Sequence, residues 1–310
     1  MSTNRTSLCA GLFLSIPLLV SSCSHETAYQ EPQVTGHLPS GINESSGIAA
    51  SHRDPLLLWT HNDSGGQPVL YGIDPNGRRR GDVRLAGLRN IDWEDIASFE
   101  LEGRAWLLIA DTGDNGAARH DCALYVIAEP NPADLIPFHE LTAPIAWKIP
   151  VRFPDGPHDC EAVAIDAKNG LVYLLTKRAK PPELYTLRLR PSSAEPAAAQ
   201  LVAKLNQFPQ PSASQSLLPI PTSHYRAEPT AMDFAPDGSA AVVLTYGDVC
   251  IFPRKPGETW VTALARKPQV LPSHGLAQAE AAAFAQDGRT IYVTSEGTGT
   301  AILRYRPLQP

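Results

Sequence analysis

One short pattern recurs five times along this chain and limits what it can fold into. A glutamate is followed three residues later by Gly or Ala within a small, largely apolar run. The copies are NESSGIAAS at Glu44, DWEDIASF at Glu94, HDCEAVAID at Glu161, RAEPTAMDF at Glu228 and QAEAAAFAQ at Glu280. Successive glutamates lie 50, 67, 67 and 52 residues apart. Self-similarity at this period marks a propeller or solenoid, whose units each bury an apolar face against the next.

The rest of each unit repeats as well. Turn signals follow most of the copies: Lys168-Asn169-Gly170, Pro236-Asp237-Gly238 and Gln286-Asp287-Gly288. Asn-Gly and Asp-Gly suit tight hairpins because both residues tolerate positive φ. Apolar runs come next (LLLWT, WLLIA, LVYLLT, AVVLT, TIYVT), then polar or Gly-rich loops, then a third run (VLYGID, ALYVIAE, ELYTLRL, VCIFP, AILRY). A fourth, more polar strand is read in RRGDVRLAG, PIAWKIPV, QLVAKL and WVTALA. The predicted fold class is therefore all-β: a β-propeller of four-stranded antiparallel blades. Five blades fit the count, and six follow if a long insert hides a degenerate blade. The fifth unit lacks a fourth strand, and Gln33 to Leu38 has no partner of its own. That segment is predicted to supply the missing outer strand and close the ring, since an open ring would expose an edge. Pro130 to Pro144 and Gln207 to Tyr225 read as long loops.

The N-terminus is read as a leader. Arg5 is its positive region, Leu8 to Val20 its apolar region, and Val20-Ser21-Ser22-Cys23 resembles a bacterial lipobox. This divides the chain into a lipoprotein signal peptide over residues 1–22, a tether over 23–32 lipidated at Cys23, and a propeller domain over 33–310. Ser24 in place of Asp resembles the outer-membrane sorting pattern. The expected location is the bacterial envelope, on the outer membrane facing the periplasm. The expected membrane contact is through the N-terminal lipid only. A net charge of −6 and the lack of a long basic run weigh against nucleic acid as a partner. In an oxidising compartment a Cys122–Cys160 disulfide is expected as readily as two free thiols.

Propeller geometry gathers the starts of first strands and the ends of second strands at one face. An axial acidic ring of Glu44, Glu94, Glu161, Glu228 and Glu280 is expected there, with His61, Lys177, Tyr246 and Glu296 at its rim. Five carboxylates around one axis repel if all are ionised. They can bind a hard cation such as Ca²⁺ or another divalent ion, take up protons, or be latched to N–H groups of the next blade and to nearby cations. The oxygen-rich loops His61-Asn62-Asp63-Ser64-Gly65-Gly66 and Asp111-Thr112-Gly113-Asp114-Asn115-Gly116 make Asn62, Asp63, Asp111, Asp114 and Asn115 candidate metal ligands. Neither loop matches the EF-hand pattern. No GxSxG, Rossmann or P-loop motif is present.

The motifs ESSGIAAS, WTHNDSGG, LYGID, DWEDIA, IADTGDN, CEAVAID, LLTK, TAMDF, EAAAF and SEGTG resemble those of a group of exported bacterial β-propeller proteins. More distantly the chain is similar to gluconolactonase-like and phytase-like propellers. This resemblance implies the fold and an axial metal, and carries over no catalytic residue. Two functions are then expected as alternatives. One is an envelope propeller that binds a small-molecule or protein ligand at its acidic face with a divalent cation. The other is a metal-dependent hydrolase of a lactone or phosphoester.

Overall fold

The computed structural model describes residues 1, 29–191, 197–217 and 221–308. The predicted leader and the lipidation candidate Cys23 lie outside the described residues, apart from residue 1. The described chain forms a five-bladed β-propeller.

Blade 1 runs outward from its inner strand Ser45–Ala50 through Leu58–Asn62 and Val69–Ile73 to Arg79–Leu85. Blade 2 is Trp93–Leu101, Arg104–Asp111, Ala123–Ala128 and Trp147–Arg152. Blade 3 is Cys160–Asp166, Leu171–Thr176, Glu183–Arg188 and Gln200–Lys204. Blade 4 is Pro229–Phe234, Ala240–Thr245, Val249–Pro253 and the short Gln269–Val270. Blade 5 is Ala279–Phe284, Ile291–Ser295 and Ala301–Tyr305, completed by Gln33–His37 from the N-terminal side. That closing strand pairs antiparallel, with Gln33 opposite Arg304 and His37 opposite Ala301. Contacts begin before it: the Tyr29 hydroxyl donates to the Arg289 carbonyl at 2.9 Å.

The turn chemistry explains the hairpins. Gly170, Gly238 and Gly288 sit at φ of 65°, 70° and 65°, where a side chain would be strained. Five apolar clusters fill the spaces between neighbouring blades, and the one holding Ile48, Leu58, Ala283 and Ile302 joins blade 5 to blade 1. Closure therefore rests on core packing as well as on the borrowed strand.

Three segments depart from expectation. WVTALA is no strand: Trp260–Leu264 is a helix, N-capped by Thr259, whose hydroxyl accepts from the Thr262 N–H at 3.1 Å. It buries Trp260, Ala263 and Leu264, so its apolar residues follow a helical rather than an alternating pattern. The Pro130–Pro144 loop contains a strand, Glu140–Ala143, which adds in parallel to the outer edge of blade 1. Within Gln207–Tyr225, Gln215–Leu217 and Pro221–His224 form single helical turns.

Of the two alternatives for Cys122 and Cys160, the structure has the free thiols, both buried. Cys160 lies on an inner strand, and its Sγ donates to the Leu175 carbonyl at 3.3 Å. Burial pushes the Cys122 thiol up to about 11, which suits an inert core residue. Thermal unfolding of the full chain in detergent should be unchanged by a reductant, within about 1 °C. A clear drop would restore the disulfide.

Candidate functional site

Every inner strand carries a β-bulge near its start. The pairing skips Ser46, Glu94, Glu161, Thr230 and Glu280, one residue in each blade. A bulge inserts one unpaired residue and re-aims its side chain. Only three of the five predicted glutamates hold this position, and Ser46 and Thr230 replace the other two. Glu44 and Glu228 lie two residues earlier, level with Asp92, Asp159 and Gln278. The backbone confirms this register: the carbonyls of Glu44, Asp159, Glu228 and Gln278 accept from the N–H groups of Asp63, Lys177, Tyr246 and Glu296. The five-glutamate ring is thus corrected. Glu94, Glu161 and Glu280 form a buried inner tier, Glu228 is buried one step outward, and Glu44 is exposed.

The predicted rim residues Lys177, Tyr246 and Glu296 end up beside this tier. Lys177 Nζ lies 2.6 Å from Glu161 Oε1 and 3.9 Å from Glu280 Oε1. It also sits 4.8 Å from the Tyr246 ring centroid, and the Tyr246 hydroxyl donates to Glu280 Oε1 at 2.8 Å. Burial alone would lower the Lys177 pKa, but the two carboxylates raise it, so the ammonium stays charged. Burial pushes Glu280 up to about 7 despite Lys177 and Tyr246. One lysine thus serves two glutamates, at 2.6 Å from Glu161 and 3.9 Å from Glu280, and burial raises both carboxyls against it.

The Glu94 side differs. Glu94 Oε2 accepts from the Ser46 hydroxyl at 3.3 Å, and Asp63 and Asp92 stand close by. Ligand atoms of Asp63, Asp92 and Glu94 all lie within 4.8 Å of one another, and so do those of Glu94, Asp159 and Glu161. Either group is spaced to hold a metal ion. Among the described residues no Lys, Arg or His forms an ion pair with Asp63, Asp92 or Glu94. Burial, then the charges of Glu161 and Asp63, push Glu94 well up. Burial and Asp92 raise Asp63 to about 7. Gly113 closes the wall: a Cβ there would stand 1.9 Å from Glu94 Oε1 and 2.6 Å from Asp92 Oδ2.

The other candidate ligands spend their polar atoms on neighbouring protein groups. Asn62 Oδ1 accepts from the Asn43 and Glu44 N–H groups, and its amide donates to the Gly41 carbonyl. Asp111 pairs with Arg119 at 2.8 Å, and Asp114 accepts from the N–H groups of Ala118 and Arg119. Asn115 contacts Arg178. His61 is not at the rim. It is fully buried edge-on to Trp93, and burial lowers its pKa to about 4. Glu228 faces Lys180 at 3.7 Å.

Sequence reading missed Asp92, Ser46 and Asp95, and gave Asp159, which flanks Glu161, no role. Asp159 accepts from the Asp114 N–H at 2.9 Å and pairs with Arg178 at 2.7 Å, tying blade 2 to blade 3. Asp95 is the true inter-blade latch. Its Oδ1 accepts from Ile96 N–H at 2.8 Å, and its Oδ2 from Val163 and Met232 N–H at 2.8 and 3.3 Å. Asp233 in blade 4 repeats the device toward blade 5, accepting from Phe234 and Phe284 N–H at 2.8 and 2.9 Å. The sequence signal was available: each is an acidic residue inside an inner-strand segment, at Asp95 in DWEDIASF and at Asp233 in PTAMDF.

No family model matches the chain, and no curated protein matches it. Among solved structures it is similar to the PQQ-bound aldose sugar dehydrogenase of Streptomyces coelicolor. The identity is 12% and the TM-score 0.49, over 89% of this chain and 98% of that one. At this level of identity neither the sugar substrate nor the PQQ of that protein is carried over.

Proposed function

We propose that this chain is a lipid-anchored envelope propeller that binds a divalent cation, Ca²⁺ in the first instance, at its axial face, and a small-molecule or protein ligand over it. The carrying observation is the trio Asp63, Asp92 and Glu94: three converging carboxylates from two blades with no cationic side chain paired to them. Lys177 already pairs with Glu161 and Glu280, so the carboxyl groups without an ion-pair partner are those around Glu94. A hard cation with oxygen ligands matches such a set. Gly113 supports the reading because any side chain there would fill the space beside Glu94 and Asp92.

Cation binding here must displace protons. Asp63, at about 7, and Glu94, which burial pushes well up, both have to ionise, so Ca²⁺ affinity in the full detergent-solubilised chain should be at least about tenfold lower at pH 6 than at pH 8. The sign for the metal-free protein is opposite. A carboxyl whose folded pKa is raised stabilises fully below its unfolded value, near 3.8, and that contribution is lost as pH rises through about 7. Metal-free stability should therefore fall between pH 4 and 8, and Ca²⁺ should recover it at the upper end. Calorimetry and thermal unfolding of wild type and Asp63→Asn read both effects. Absence of heat and of thermal shift with Ca²⁺, Mg²⁺ and Mn²⁺ at pH 8 would remove the proposal.

A further inference from the structure

A second constellation lies away from the axis and shares no residue with it. The loop that leads from the outer strand of blade 2 to the inner strand of blade 3 carries Asp155 and His158. The third strand of blade 3 carries Glu183 and Tyr185. Ligand atoms of Asp155, His158 and Glu183 lie within 4.8 Å of one another. His158 Nε2 stands 3.0 Å from Asp155 Oδ1 and 4.0 Å from Glu183 Oε2. The Tyr185 oxygen sits among them, 3.1 and 3.0 Å from the two Asp155 oxygens, 2.9 Å from Glu183 Oε2 and 3.2 Å from His158 Nε2.

We propose that Asp155, His158, Glu183 and Tyr185 form a binding site for a borderline divalent cation of the Zn²⁺ class. Proton counting is the first argument. A phenol has one proton, and Tyr185 makes three close contacts with carboxylate oxygens. A proton on His158 Nε2 can serve Asp155 Oδ1 or the phenol oxygen, but not the rest. At least one oxygen–oxygen approach is therefore left without a hydrogen between the atoms. A cation at the centre turns those opposed lone pairs into ligands. Burial opposes ionisation of both carboxyls, but hydrogen bonds from His158 and Tyr185 to Asp155, and from Lys204 and Tyr185 to Glu183, outweigh it.

The donor set supplies the second argument. An imidazole nitrogen with carboxylate oxygens suits Zn²⁺, whereas Ca²⁺ takes oxygen alone. The outer contacts are those of an oriented site. Lys204 holds Glu183 Oε1 at 2.6 Å and leaves Oε2 facing inward. Phe153 packs edge-on against both His158 and Tyr185, with centroids 5.1 and 4.9 Å away, and so fixes the two rings. Outer partners of this kind orient metal ligands. Tyr185 is fully buried, while the Asp155 side chain is half-exposed and forms the entrance.

The test is Zn²⁺ titration of the full chain in detergent, with X-ray absorption at the zinc edge. Imidazole scattering is expected in wild type and in Glu94→Gln, and not in His158→Gln. Asp155→Asn and His158→Gln should each weaken this Zn²⁺ at least tenfold, with unchanged melting in EDTA and unchanged Ca²⁺ binding. Zinc spectra without imidazole, or equal Zn²⁺ affinity in wild type and Asp155→Asn, would overturn the proposal. Asp155 is exposed enough that its variant should fold even if His158→Gln does not.

Discussion

Replacing Lys177 with Met should cost the propeller about 3–5 kcal/mol at pH 8, the usual penalty for removing one partner of a buried ion pair. The side chain is nearly inaccessible, and its ammonium lies 2.6 Å from Glu161. Met fills a similar volume, so packing changes little and the loss reports charge. Without Lys177, Glu161 must take a proton or sit ionised among Glu94, Glu280 and Asp159. The sign with pH follows. In the variant the folded pKa of Glu161 rises further above its unfolded value near 4.5. The variant's deficit should then be small at pH 5 and grow as pH rises towards 8. Denaturant unfolding at the two pH values measures this, and Lys177→Met/Glu161→Gln should recover much of the loss. A deficit that does not vary with pH would assign Lys177 a packing role only.

The blade count and ring closure were legible in the sequence because they follow from period and turn chemistry. Asn169-Gly170, Asp237-Gly238 and Asp287-Gly288 mark hairpins whose glycines do take positive φ. Gln33–His37 could be assigned because the last unit was one strand short. The register was harder. A bulge adds one residue without changing composition, so the copies at Glu44 and Glu228 align by letter with Glu161 yet lie two residues off in space. Spacing to the next small residue could not show this, since inner strands contain Gly or Ala at several positions. The site's asymmetry was hidden for the same reason. Lys177 and Asp63 occupy one position of the repeat in different blades, so the axial face is a cation on one side and a carboxylate on the other.

The same inner strands set the second large effect. Asp95→Ala should destabilise the full chain by at least about 3 kcal/mol, since it leaves buried N–H groups of Ile96, Val163 and Met232 without their acceptor. These donors belong to blades 2, 3 and 4, so one side chain spans three of the five inner strands. Gly47, Ala162, Ala231 and Ala281 hold the matching position in the other blades, which lets those strands come close to the axis. At Gly47 a Cβ would already lie 2.7 Å from the Ile96 nitrogen. Asp95 is therefore where the chain trades a small residue for a polar hub. Burial pushes its carboxyl well up, with the three N–H groups opposing, so it can serve as an acceptor in either protonation state. Asp95→Asn keeps one oxygen and should fall between wild type and Asp95→Ala. Amide hydrogen exchange should show Val163 and Met232 losing protection together in the Ala variant. A loss under 1 kcal/mol, or exchange confined to blade 2, would mean that the blades are held by their apolar interfaces alone.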